Sequence, residues 1–247
     1  MAKTEDVTET SRLLAGDYRK VFGDQLISVI LYGSALTEEY SPKKSDLNFL
    51  IVLSEEGIEQ LHLVYGLVAK WRKKRVSTPL FLTKAYIESC LDTFPIEFIT
   101  IKRNHSLVYG KDILEGLSFD KHFVRLQCER ELRGKLLLLR ERYVETNGKA
   151  KALRNLIART LPDFIFIFKG LLYFLDKDVP ATKQETVRIL AKECNLDQEL
   201  FLSLLRLKEG TFKPSPEEIN ALFQKYLKEI RTLTIHIDTW EEPAHAS

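Results

Sequence analysis

Gly33-Ser34 is followed by eleven residues and then by Asp46-Leu47-Asn48, and apolar runs at 26–32 and 49–53 enclose the stretch. A strand that ends in a Gly-Ser turn lets backbone approach a phosphate closely, with N–H groups and a hydroxyl to bind it. Residues two apart on a strand point to the same side, so Asp46 and Asn48 should face one side next to that turn. Moving a nucleotidyl group requires a divalent cation to offset triphosphate charge and orient the α-phosphate. Mg²⁺ takes oxygen ligands, typically one or two carboxylates with phosphates and waters. A further carboxylate on a neighbouring strand can take the proton of the attacking hydroxyl. Glu97 is the acidic residue of the run 94–101, read here as a strand with residues 96, 98 and 100 on one face. Lys43 and Lys44 precede Asp46 in the loop, and Lys44 is a candidate phosphate contact.

Gly33-Ser34, the eleven-residue gap, Asp46-Leu47-Asn48 and the following Phe49-Leu50-Ile51-Val52 resemble the signature of the polymerase-β-type nucleotidyltransferase superfamily. Pro95-Ile96-Glu97-Phe98 resembles the third-carboxylate strand of the aminoglycoside adenylyltransferases. Leu107-Val108-Tyr109-Gly110-Lys111-Asp112 is similar to a segment that follows the catalytic domain in uncharacterised bacterial members. The motif match spans residues 28–112, and the likeness of the second half rests on architecture. The resemblance implies Mg²⁺ on Asp46, Asn48 and Glu97, with Glu97 also the general base. It implies a nucleoside triphosphate, ATP being the expected one, gripped by Gly33, Ser34, Lys44 and Asn48. The product would be a nucleoside monophosphate ester on an acceptor hydroxyl that the sequence does not specify. Asn48 departs from the pattern, which has a second carboxylate there. An amide oxygen can coordinate a metal but brings no charge. The alternative is therefore a catalytically weak or inactive nucleotide-binding or regulatory protein on the same fold.

The elements that must position these residues are legible in outline. Residues 8–21 read as an amphipathic helix, and 26–32 and 47–53 as buried strands. Ser54 caps a helix to about residue 71, with Ile58, Leu61, Val64, Val68 and Trp71 on one face. A third strand follows at 78–83, a short helix at 84–91, and the fourth strand at 94–101. Composition then turns helical, with helices at 119–146, 150–175, 182–194, after Asp197, and 215–233. The run Phe164 to Phe168 is core packing in a helix apolar nearly all round. The fold class is α/β (α+β), a small mixed-sheet domain over residues 1–115 followed by an all-helical bundle over 116–240, with a flexible tail at 241–247. Arg72-Lys73-Lys74-Arg75 closes a helix, where cations complement the dipole. His105 and His122 read as surface residues.

Composition narrows the function classes. Lys plus Arg number 37 against 35 Asp plus Glu, and this near balance argues against a long nucleic acid as partner. Three widely spaced cysteines lack metal-ligand spacing and read as reduced thiols of a cytoplasmic protein. No apolar stretch reaches the length of a membrane span. Homodimer formation is left open by the sequence.

Overall fold

The computed structural model describes residues 2–38, 40–42 and 45–240. The chain divides into two compact units, Met1–Phe119 and Asp120–Ser247.

The first unit is built on a four-stranded mixed sheet in the order β3-β2-β1-β4. Helix α1 (Ala2–Phe22) leads into β1 (Leu26–Tyr32), and β2 (Asn48–Leu53) pairs antiparallel to it, with Tyr32 opposite Asn48. Alternation sends Val29, Leu31, Leu47, Phe49, Ile51 and Leu53 into one apolar cluster with Leu14, Tyr18 and Trp71. Ile30, Leu50 and Val52, on the other face, are equally buried. A sheet covered on both sides explains why its central strands read as near-continuous apolar runs.

The segment after β2 is broken where one helix is expected. Helix α2 (Glu55–Ile58) is capped by the Ser54 hydroxyl, which accepts from the Gly57 N–H at 3.0 Å. A 3₁₀ turn (Leu61–Val64) and α3 (Tyr65–Arg72) follow. A Cβ on Gly57 would stand 3.0 Å from Gln25 Cβ and 3.3 Å from Leu53 Cβ. The break lets the chain press against the end of β2 there and still bury Val64 and Trp71. Strand β3 (Leu80–Thr83) runs parallel to β2, and the Thr83 hydroxyl caps α4 (Lys84–Ser89).

The expected fourth strand at 94–101 is a helix, α5 (Pro95–Arg103). Proline at its first position has no N–H to lose and is preset for helix. Pro95, Ile96, Phe98, Ile99 and Ile101 are buried while Glu97, Thr100 and Arg103 are not, which is a period of three rather than two. The fourth strand, β4 (His105–Gly110), lies just beyond and pairs antiparallel to β1.

The second unit is all helical: α6 (Lys121–Glu145), α7 (Ala150–Phe174), α8 (Lys183–Cys194), α9 (Gln198–Glu209) and α10 (Pro216–Asp238). Helix α7 runs through Pro162 and packs on the other four, as its apolar circumference requires. Tyr226 meets Phe164, Phe201 and Phe223 edge-on. Thr182 and Ser215 cap α8 and α10, the latter with a full capping box. The expected boundaries of the helices hold to within a few residues. Cys90, Cys128 and Cys194 are buried thiols. No helix among the described residues is long and apolar enough to cross a membrane.

Candidate functional site

β1 ends at Tyr32, and Gly33 turns the chain with φ +86°, a conformation that glycine adopts without steric cost. Gly33–Leu36 forms a 3₁₀ turn closed by the Thr37 N–H and hydroxyl, both donating to the Ser34 carbonyl. The Gly33 N–H donates to the Asn104 carbonyl at 2.9 Å, so the turn hangs from the junction of α5 and β4. A Cβ on Gly33 would stand 3.4 Å from Asn48 Nδ2. The turn and the first residue of β2 are therefore in contact, as the Tyr32–Asn48 register requires.

Asp46, Leu47 and Asn48 are each held by the segment after α3. The Leu47 N–H donates to the Arg75 carbonyl at 2.9 Å, and the Ser77 N–H donates to the Leu47 carbonyl at 3.0 Å. Leu47 and Val76 form a parallel bridge. The Ser77 hydroxyl lies 2.5 Å from Asn48 Oδ1, to which it donates, and 3.1 Å from the Leu47 carbonyl. The Arg75 guanidinium sits 3.1 Å from Asp46 Oδ1, both side chains about half exposed. Burial and the charge on Asp6 push the Tyr40 phenol up, Arg75 opposes this, and Asp46 adds to it, so Tyr40 shares the field of the pair.

The expected site residues are thus placed unevenly. Gly33 and Asn48 touch at one end of β1 and β2, with Ser34 next to Gly33 and Asp46 two residues before Asn48 in the chain. Lys44, like Lys43, lies outside the described residues. Glu97 is half-buried in the first turn of α5. Seven residues of chain, nearly all helical, separate it from Asn104, which at 1.5 Å per residue is about 10 Å. Lys102, at the end of α5, donates to the Glu115 and Leu117 carbonyls at 2.7 Å each.

Two contributors lie outside the sequence reading. Arg75 belongs to a basic run whose helix-closing role is real but incomplete. The signal for it was Ser77 and the strand beyond, since a parallel β3 must bring residues 75–77 alongside 46–48. His105, read as a surface residue, is largely buried, its ring nitrogens 2.6 Å from the Lys102 carbonyl and 2.8 Å from Asp112 Oδ2. Burial would raise the Asp112 carboxyl, but hydrogen bonds from His105 and the Leu114 N–H hold it below its ordinary value. This clamp fixes the residue next to Asn104 and hence the Gly33 turn.

The donor set can be tested against a divalent cation. Among the described residues no three His, Cys, Asp or Glu side chains are grouped to hold a metal ion. One Asp46 oxygen faces a guanidinium, and Asn48 Oδ1 already accepts from Ser77. As arranged, the residues do not fit a resident Mg²⁺. An ion reaching Asp46 would come with the nucleotide, as part of a magnesium–triphosphate substrate.

A cleft of about 530 Å³ opens beside the same 3₁₀ turn, lined by Leu31, Leu36, Leu107 and Val108 with Arg12 and Tyr40. Leu31 points to the sheet face opposite Asn48, while Tyr40 of this cleft feels the charges of Arg75 and Asp46.

No family model matches the chain, and no curated protein matches it. Among solved structures it is similar to the crystal structure of spectinomycin adenyltransferase AAD(9) from Enterococcus faecialis with ATP and spectinomycin. Identity is 15%, the match covers 88% of this chain and 98% of that one, and the TM-score is 0.49. The functional reading is carried by the residues of the chain itself.

Proposed function

We propose that the protein binds a nucleoside triphosphate at the Gly33 turn and transfers the nucleoside monophosphate to an acceptor hydroxyl. The observation that carries this reading is the contact of Gly33, in a left-handed turn, with Asn48 at one end of β1 and β2, two residues along the chain from Asp46. The Gly33–Leu36 turn offers backbone N–H groups and the Ser34 hydroxyl to phosphate oxygens. Asn48 adds its Nδ2 amide, which the Ser77 bond to Oδ1 turns toward Gly33. In the transfer step the acceptor oxygen bonds to the α-phosphorus, the bond from that phosphorus to the bridging oxygen breaks, and pyrophosphate leaves. The acceptor's proton passes to a carboxylate, for which Glu97, about 10 Å along α5 from Asn104, is our candidate. Positioning and charge stabilisation would supply most of the rate.

A second reading is nucleotide binding without transfer. It is favoured by the engagement of Asp46 with Arg75 and of Asn48 with Ser77. The experiment that separates the two is pyrophosphate release from ATP, with a panel of hydroxyl acceptors, in the wild type and in Asp46→Ala. Transfer that disappears in the variant supports the first reading. Binding of ATP with no release for any acceptor supports the second. The Asp46–Arg75 pair is half exposed, so the variant should melt close to the wild type.

A further inference from the structure

Arg75 occupies a position that arginine does not favour. Helix α3 ends with the Val76 N–H on the Trp71 carbonyl at 3.2 Å and the Arg75 N–H on the Arg72 carbonyl at 3.1 Å. Those two bonds define the Schellman helix end, in which the residue at the position of Arg75 is left-handed and usually glycine. Arg75 has φ +60°, a conformation that costs a residue with a Cβ. The apolar contact that goes with this helix end is present, since Val76 and Trp71 are both buried in one cluster. The backbone therefore has no use for a long side chain here. The side chain reaches Asp46.

We propose that Arg75 supplies, at Asp46, the positive charge for which a metal ion would otherwise be needed, and that it binds the phosphates of the nucleotide directly. The inference rests on the nucleotide reading given above. Two carboxylates at 46 and 48 would need a doubly charged ion between them and a triphosphate. One carboxylate and one amide need a single positive charge, and a guanidinium carries one permanently. The pair with Asp46 is half exposed and hence weak. A triphosphate offers the planar guanidinium several oxygens at higher charge, and paired Arg–phosphate bonds are among the strong ones. The neighbouring cation is otherwise engaged, because Lys74 Nζ lies 5.1 Å over the Trp71 ring.

The test is calorimetric titration of ATP into the wild type, Arg75→Gly and Arg75→Gln, each in EDTA and in Mg²⁺. Arg75→Gly removes the charge at a site where the backbone prefers glycine, so it should melt no lower than the wild type. Arg75→Gln removes the charge and keeps the Cβ. The expected result is wild-type binding in EDTA, at least tenfold weaker in both variants, and recovery in both when Mg²⁺ is added to the bared Asp46. Variants that bind like the wild type in EDTA would reduce Arg75 to a helix-end residue. Wild-type binding only with Mg²⁺, tightened in both variants, would mean that Arg75 blocks a metal instead of replacing one. No wild-type binding in either buffer would overturn the nucleotide reading itself, and this inference with it.

Discussion

The Ser77 hydroxyl, five residues beyond the end of α3, donates to Asn48 Oδ1 at 2.5 Å and so decides which end of that amide faces the Gly33 turn. With its oxygen engaged, Asn48 presents an N–H donor where the related motif has a carboxylate. On the proposed reading, the residue that weakens the case for a metal donates a hydrogen bond to phosphate.

Asn48→Asp follows from this. The carboxylate can still accept from Ser77, but the donor toward Gly33 is lost and a second negative charge stands near Asp46. ATP affinity in EDTA should fall about tenfold, the weight of one charge-assisted hydrogen bond, and Mg²⁺ should restore it. Titration calorimetry in the two buffers reads the effect. Unchanged binding in EDTA would show that the amide does not touch the nucleotide.

Gly33→Ala tests the turn. The added Cβ meets Asn48 Nδ2 at 3.4 Å, an ordinary contact, so the cost comes from φ +86°. Destabilisation of about 1–2 kcal/mol is expected in urea melts, with ATP binding weakened as the turn opens. A variant as stable as the wild type would mean that the turn relaxes freely and is not a rigid phosphate cradle.

The parts of the fold that were legible are those where one physical signal dominates. β1 and β2 are apolar runs of strand length, and the Gly-Ser turn between them is explicit. Thr182, Asp197 and Ser215, where the sequence starts its helices, are caps that accept from backbone N–H groups. Residues 94–101 read as a strand because Ile, Phe and Thr favour strands and the run is apolar enough for a buried one, while the threefold period of burial at 95, 96, 98, 99 and 101 appears only in the structure. Pro95 at the first helical position was the overlooked cue. Arg75 and His105 escaped because their partners, Asp46 and Asp112, are fixed by strand order and a clamp, which no local pattern records.

Asp112→Asn probes the clamp. The folded-state carboxyl sits below its ordinary 3.8 because hydrogen bonds from His105 and Leu114 outweigh burial. A depressed value means that the stabilisation is complete above 3.8 and is lost as pH falls through the folded value. The substitution should cost about 1.5–3 kcal/mol at neutral pH, and the gap from the wild type in urea melts should close as pH is taken below that value. A gap that persists in acid would locate the effect in packing instead.

Glu97→Gln separates binding from chemistry. Placed about 10 Å along the chain from the Asn104 contact, Glu97 should have no part in holding phosphates. ATP affinity should stay as in the wild type, while transfer to an acceptor falls by roughly 100-fold or more, as expected for loss of a general base. Unaltered transfer would return Glu97 to the ordinary surface of α5.

The central claim is that the end of the sheet at Gly33, Asp46 and Asn48 recognises phosphates. Calorimetric titration of adenosine, AMP, ADP and ATP in turn into the intact protein tests it most directly. The account predicts affinity that climbs with phosphate number, ATP binding at least about tenfold more tightly than AMP and adenosine most weakly. Adenosine bound as tightly as ATP, or no binding of ATP at all, would contradict it.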